Sequence, residues 1–390
     1  MRTSRFFSDN VILFFALCVA ASFLCQIFKV TAPVNILYIV SLLMVLGCYL
    51  GSGYVTKMTM LLTMLIALAS CINGFRSNNM DYYTHVLITL DIFICIEVSA
   101  NVKISVATFR KIAGLFLITA IILLVAYYFG PLKTTYFGYN YDSVCLNFTN
   151  PNAAGLWLVC IFILVLYSSF LFKGLWRMLY TVVAVGILPI ILATQSRNSF
   201  FACIFFIVGL FVTRGFRIKK VPKWIFAVLA ILPILVFVFY MFVIIENKAV
   251  WEEIFSMNAI DKGIGTRQRI WQSVLDDFEH CFLIGNYYKY YNSQMHNSLL
   301  TIFCRFGAPV TALSCVSIYR ALKNLQEKSS FYAALSLAAI FFTGCFEASV
   351  FVGIAGMYLM LLLIPACASA EQTALSDTQT ESEKVNICEP

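Results

Sequence analysis

The stretch VILFFALCVAASFLCQIF, residues 11–28, carries no charge over its whole length, and comparable stretches recur down the chain. An uninterrupted apolar run of this length spans a bilayer as a helix, because no backbone polar group can be left without a partner in hydrocarbon. One such run could be a buried core helix; a dozen exclude a water-soluble fold. The composition agrees: 61% of the 390 residues are hydrophobic and 12% are charged, where a soluble domain carries about 25% charge. The expectation is an all-α polytopic membrane protein. Residues 11–28 follow Arg2 and Arg5 in the manner of a signal peptide, but the run is too long for one and no small-residue cleavage site follows. We read it as an uncleaved first span.

About twelve spans are expected, at 11–28, 34–51, 58–73, 84–100, 111–130, 153–172, 178–194, 199–213, 224–245, 297–318, 331–347 and 349–369. Residues 1–245 then hold the first nine and 297–370 the last three. Residues 246–296 form one large extracytoplasmic loop. The tail 371–390 is polar and acidic, buries too little to fold, and is expected to be disordered. Lys and Arg fix the orientation. With the N-terminus cytoplasmic, the inner segments hold Arg2, Arg5, Lys57, Lys103, Arg110, Lys111, Lys173, Arg177, Arg214, Arg217, Lys219, Lys220, Lys223, Arg320, Lys323, Lys328 and Lys384. The short outer loops hold Lys29, Arg76, Lys133 and Arg197. Both termini are therefore expected inside, and the net charge of +8 reflects topology rather than nucleic-acid binding.

The 14 cysteines form no CxxC pair, so neither a zinc site nor a redox motif is indicated. Cys145 and Cys281 fall in polar loops and could pair with each other. There is no D-x-D pattern, the outer carboxylates do not gather into a ligand set, and no metal or cofactor is expected. No internal repeat is visible, which weighs against a transporter built from two similar halves.

Polar chemistry concentrates on the outer side. In GTRQRIWQSVLDDFEHCF, Ile270, Trp271, Val274, Leu275, Phe278 and Phe282 recur at helical spacing and predict an amphipathic helix on the membrane surface or over the bundle. Thr266 suits its N-cap, which puts Arg267 and Arg269 in the first turn, where the helix dipole disfavours cations. Either an anion sits at that end, or the two side chains reach lipid headgroups. Arg197 lies in ATQSRNSFF between two spans, against the charge bias, with Thr194, Gln195, Ser196, Asn198 and Ser199 around it. Asn150, Pro151 and Asn152 open the sixth span, and capping alone accounts for most of that pattern. His296 meets the tenth span at the outer interface, as a cap or as a proton acceptor. Arg305 lies inside that span, where a charge needs a partner; Asp91, Glu97 and Glu347 are the candidates. The tyrosines of YYKYYNSQ read as an interfacial belt, with stacking on sugar rings as the alternative.

The order of these elements carries a resemblance. NPNAAGLWL precedes a span, TQSRNSF joins two, TRQRIW…FLIGNY lies in the large loop, and HNSLLTIFCRFG opens the next span. Over about residues 147–310 the chain resembles the O-antigen polymerase and O-antigen ligase superfamily of bacterial envelope glycan assembly. The resemblance implies a metal-independent, inverting, GT-C-like glycosyltransferase bundle at the outer face of the inner membrane. Its donor would be a glycan on polyprenyl pyrophosphate. Arg197 and Arg267 match arginines that hold the pyrophosphate, and His296 matches a histidine acting as base. With these three as the catalytic set, Arg269, Asn150, Asn152, Arg305, Asn297 and Gly285 make up the substrate-binding set. Arg269 and Arg305 have no assured counterpart, and GNYYKYYNSQ replaces the further G-x-G that many relatives carry after Gly285. Polymerisation of repeat units is the reading we favour. Ligation to lipid A core shares the same signature, and a flippase for lipid-linked oligosaccharide is the alternative from another class. The partners implied are the lipid-linked glycan, the bilayer, a chain-length regulator and a flippase, with no nucleic acid.

Overall fold

The computed structural model describes residues 2–30, 56–77, 105–130, 132, 143–148, 150–170, 172–216, 218, 220–244, 267, 269–290, 295–328 and 331–346. The expected spans at 34–51, 84–100 and 349–369 lie outside these residues. So do Thr266, Asp91, Glu97 and Glu347, most of the large loop and the tail.

The remaining nine expected spans are helices. In chain order these are α1 (Arg2–Ile27), α2 (Lys57–Ser77), α3 (Val106–Tyr128), α4 (Pro151–Ser169), α5 (Gly174–Ala193), α6 (Arg197–Gly215) and α7 (Lys223–Phe239). After the loop come α11 (Ser298–Lys328) and α12 (Phe331–Thr343). A π-helical turn, Tyr240–Ile244, continues α7. The loop supplies three short pieces: α8 over 269–276, α9 (Phe278–Phe282) and α10 (Tyr287–Tyr290). Seven helices are long and apolar enough to cross a membrane, while Arg197–Thr213 and Ala334–Thr343 are apolar but shorter. The chain is a helical, multi-pass membrane protein, and no β-strand occurs among the described residues.

Burial explains the arrangement. α4 is apolar all round and buried on every face, from Ala153 through Val165, as suits a helix at the centre of a bundle. It packs against α3, α5 and α6, and α1 packs against α3. The long α11 contacts α2, α7 and α12, and α12 against α6 joins the two groups. The outward faces are greasy as well: Val182, Phe211 and Trp224 are among the exposed apolar side chains. In water such a surface would aggregate; against lipid it is the expected exterior.

Hydrogen bonds define two ends. At one, the Ser105 amide donates to Asp9 Oδ1 at 2.8 Å, the Val221 amide donates to Gln326 Oε1 at 2.8 Å, and Lys223 pairs with Glu327 at 3.2 Å. Lys57, Arg110, Lys111, Lys173, Arg320 and Lys323 stand at this basic end. At the other, Asn147 Nδ2 donates to the Ile27 carbonyl at 2.6 Å, and the Val144 amide to the Ala193 carbonyl at 2.9 Å.

Candidate functional site

The loop end gathers unusual backbone. Among the described residues, every non-glycine with positive φ is found there: Lys29, Leu146, Asn147, Gln195 and His296, at 47° to 62°. Lys29 only ends α1, where Val30 donates back to the Cys25 carbonyl at 2.9 Å in a Schellman-type cap. Gln195 and His296 lie in segments that the sequence singled out, and Leu146 and Asn147 come shortly before the one that starts at Asn150. Left-handed backbone is uncommon for such residues and persists only where the surroundings hold it.

Three of those segments are joined through the short turn after α12. Asn198 Nδ2 donates to the Thr343 carbonyl at 2.7 Å, which ties the start of α6 to the end of α12. The Ser298 amide donates to the Gly344 carbonyl at 2.8 Å, and Asn297 Nδ2 reaches the Cys345 carbonyl at 3.3 Å. The Arg267 guanidinium lies over the Phe346 ring, 5.9 Å from its centroid. Consecutive residues 343–346 thus meet the Arg197 segment, the His296 segment and Arg267. Nothing in TGCF announces this from sequence, because the groups used are mostly main-chain carbonyls.

The Asn150 segment joins the same assembly through Gly155. A side-chain carbon there would collide with Ser199 Oγ and Ser196 Cβ, so the glycine lets α4 press against the start of α6. The two serines share a hydrogen bond of 2.8 Å. Asn150 itself is the N-cap of α4, accepting from the Asn152 amide at 2.8 Å, with Pro151 in the first turn. Arg197, the first residue of α6, is exposed.

His296 is partly buried and positioned by its neighbours. On one side, the Trp271 indole N–H donates to the Met295 carbonyl at 2.7 Å. Trp271 is fully buried, edge-on to Phe237 and Tyr240 at ring separations of 5.5 and 5.0 Å. On the other side, Asn297 caps α11: its Oδ1 accepts from the Leu300 amide at 3.0 Å, and its Nδ2 also donates to the Pro233 carbonyl at 2.7 Å. Asn297 was expected to bind substrate. Its amide is committed instead to three main-chain partners, so its part is to hold α7, α11 and the turn together.

The amphipathic helix departs from expectation at Asp277, where a turn separates α8 from α9. Trp271 and Val274 are buried as the stripe predicts, while Phe278 and Phe282, beyond the turn, are 44% and 46% exposed. Asp277 pairs with Lys289 at 3.2 Å and His280 at 3.3 Å and accepts from the Cys281 thiol at 3.6 Å. Burial pushes its carboxyl up, but Lys289, the Tyr290 phenol and the Cys281 thiol outweigh burial and hold it below its ordinary value. Burial, then the Asp277 charge, push the Tyr290 phenol in the opposite direction.

Arg305 is 96% buried, being only 4% exposed. Its Nε donates to the Tyr290 carbonyl at 3.3 Å, and its guanidinium lies over the Tyr287 ring at 5.5 Å. Tyr287 and Tyr290 are buried too, so these two are neither an interfacial belt nor a sugar platform. They surround a cation that belongs to the loop's anchorage. Gly285 has a similar part. At φ +73° its open side faces the Arg305 carbonyl and the Phe306 amide, while Gly307, at φ +86°, faces the Leu283 carbonyl. Gly307 breaks α11, and Pro309 supplies no N–H to the Arg305 carbonyl. The chain at 283–286 lies in that break, with the Asn286 amide donating to the Cys304 carbonyl at 2.7 Å and Asn73 of α2 donating to the Ile284 carbonyl at 3.1 Å. Gly285, expected to bind substrate, is filled by protein backbone. The cysteine pairing also differs: Cys145 and Cys281 are both free thiols.

Beside this assembly runs an apolar groove of about 360 Å³. Ile234, Phe237, Val274, Phe278, Leu299 and Phe303 line it, and Thr311 is the one hydroxyl in its wall. Two spans, α7 and α11, form its sides; α8 and α9 form its roof. Arg267, at the N-terminal side of that roof, is partly buried, close enough to Tyr240 for its charge to act on the phenol, and Arg269 is exposed. Among the described residues no group of three or more His, Cys, Asp or Glu could hold a metal ion.

Comparison with protein-family models gives no match, and comparison with curated proteins gives none.

Proposed function

We propose that the protein is an inverting, metal-independent glycosyltransferase that polymerises polyprenyl-pyrophosphate-linked oligosaccharide units into a surface polysaccharide. The loop end would face the outer side of a bacterial inner membrane, with both termini cytoplasmic. One observation supports this reading most: the Arg197, Arg267 and His296 segments, far apart in sequence, meet around residues 343–346 beside an apolar groove. The lipid tail of the donor occupies the groove. Its pyrophosphate meets Arg267 and Arg197, which stabilise the charge that gathers as the C–O bond at the anomeric carbon breaks. His296 takes the proton of the acceptor hydroxyl, whose oxygen forms the new bond. Positive φ at His296 and the clamps on both its neighbours fix the main chain from which the imidazole projects.

The test is elongation by the purified full-length protein in lipid nanodiscs, supplied with a polyprenyl-pyrophosphate repeat unit. Longer lipid-linked chains are expected from the wild type and not from Arg267→Ala or His296→Ala. Transfer to lipid A core without elongation would make the protein a ligase. Transport of the donor across the bilayer, with no glycosidic bond formed, would overturn the enzyme reading.

A further inference from the structure

The basic end of the bundle, away from the candidate site, carries a cluster of cations with no part in the proposed transfer. Val221, just before α7, is held on α11 by both of its main-chain groups. Its amide donates to Gln326 Oε1 at 2.8 Å, and its carbonyl accepts from Gln326 Nε2 at 3.0 Å. The pairing crosses 105 positions of sequence and fixes Lys220 and Lys223, on either side of Val221, beside the end of α11. Lys223 reaches Glu327 at 3.2 Å. Lys323 and Arg320 stand one and two turns before Glu327 on the same face of α11. Four cations from two elements are therefore gathered about one carboxylate. Like charges held together repel, and an anion among them removes that cost. Pro222 gives α7 no side-chain cap, so the positive end of the helix dipole adds to the same field.

We propose that Lys220, Lys223, Arg320 and Lys323 bind the phosphate of an anionic phospholipid whose acyl chains lie along α7. What adjoins the cluster favours a lipid over a soluble anion. Trp224, Val228, Ile231, Leu235 and Val238 recur every three or four residues, so they form one stripe on α7, and all five are exposed. The stripe begins at the residue after Lys223 and runs towards the other end of the span. Trp224, 66% exposed, marks the level of the headgroups, where an indole is commonly found. Phosphate and chains of one molecule thus meet matching surfaces at one corner of the bundle. A diffuse positive end attracts anionic lipid without holding any one molecule. The Val221–Gln326 pairing makes the difference, because it fixes the cations of the α7 side against those of α11. The bound lipid bridges the two helices. This inference concerns the basic end alone and holds whether or not the protein transfers glycans.

The Trp224 indole serves as the reporter. Full-length protein is placed in phosphatidylcholine nanodiscs that hold a small, equal fraction of either phosphatidylglycerol or phosphatidylcholine brominated near the top of one acyl chain. Bromine quenches the fluorescence of an indole that it touches, and the same discs with Trp224→Phe supply the signal of the other tryptophans for subtraction. Random contact gives equal quenching by the two lipids. The expected quenching of Trp224 corresponds to an enrichment of phosphatidylglycerol of about threefold or more. The enrichment should fall to near parity in Lys220→Ala/Lys323→Ala and rise in Glu327→Gln, which frees Lys223. Lys173→Ala/Arg177→Ala removes as much charge from the same end, at the start of α5, and should leave it unchanged. Each variant is first shown to elute as monodisperse protein. Parity in the wild type overturns the proposal, as does an enrichment that survives the loss of Lys220 and Lys323. Equal losses in the two double variants, or a fall in Glu327→Gln, would show a general surface potential and overturn it too.

Discussion

The Trp271 indole N–H donates to the Met295 carbonyl at 2.7 Å, one residue before His296. The roof of the groove and the proposed base are thus joined by a single buried hydrogen bond. Trp271→Phe keeps a ring edge-on to Phe237 and Tyr240 but strands that carbonyl. We expect elongation to fall about tenfold, because small misplacements of a reacting group are costly in rate. The thermal midpoint should drop by an amount that corresponds to about 1–3 kcal/mol. An unchanged rate would show that the bond does not position His296.

Arg267 and Arg269 are two residues apart and differ in surroundings: the first lies against Phe346, the second is exposed. Arg267→Ala should lower elongation by about ten- to a hundredfold, the worth of one charge-assisted donor. Arg267→Lys should restore little, since an ammonium neither stacks as a plane nor offers a fork. Arg269→Ala should have the smaller effect. Comparable losses in both would point to headgroup attraction in place of a defined anion site.

Asn297 binds three main-chain groups, and Asn297→Asp removes both N–H donors while keeping an acceptor for the Leu300 amide. Two buried carbonyls then lose their partner and a charge is buried with them. The expected loss is about 3 kcal/mol or more, read as a lower unfolding midpoint in nanodiscs.

Gly285→Ala should be among the more damaging of methyl additions. The site combines positive φ with the Arg305 and Phe306 backbone in the way, and a loss of about 2–4 kcal/mol is expected. Gly114 in α3 meets nothing within 4 Å. Gly114→Ala should be neutral or raise stability by up to about 1 kcal/mol through helix propensity. Equal midpoints for the two variants would contradict the interlock.

Asp277 gives the loop a pH dependence. Its folded value lies below its ordinary one, so its contribution is present above the ordinary carboxylate pKa of about 4 and is lost as pH falls through the lower folded value. Thermal midpoints measured from pH ~5 down to ~2.5 should fall more steeply for the wild type than for Asp277→Asn. Parallel curves would remove Asp277 as an anchor.

The spans were legible because a membrane helix is written as a long apolar run, and nine of the runs fall on described helices. The segments around Arg197, Arg267 and His296 stood out because each is a polar stretch that carries a cationic or titratable side chain between long apolar runs. What joins them was not legible. The turn at 343–346 works through carbonyls that any residue supplies. Phe278 and Phe282 fit the helical period of Trp271 and Val274, and that period gives no sign of the break at Asp277 between them. The carboxylates expected to partner Arg305 lie outside the described residues; what the structure adds is a tyrosine carbonyl and a tyrosine ring against it, groups that no charge pattern reveals.

The segment from Thr343 to Phe346 therefore behaves like a spacer whose length matters more than its lettering. Exchanging Cys345 for serine leaves every carbonyl in position and should pass unnoticed. Inserting one glycine after Gly344 would move Cys345 and Phe346 against Thr343 and Gly344, and a lesion of a single residue, remote in sequence from every candidate catalytic group, would part the Asn297 and Arg267 contacts from the Asn198 and Ser298 ones.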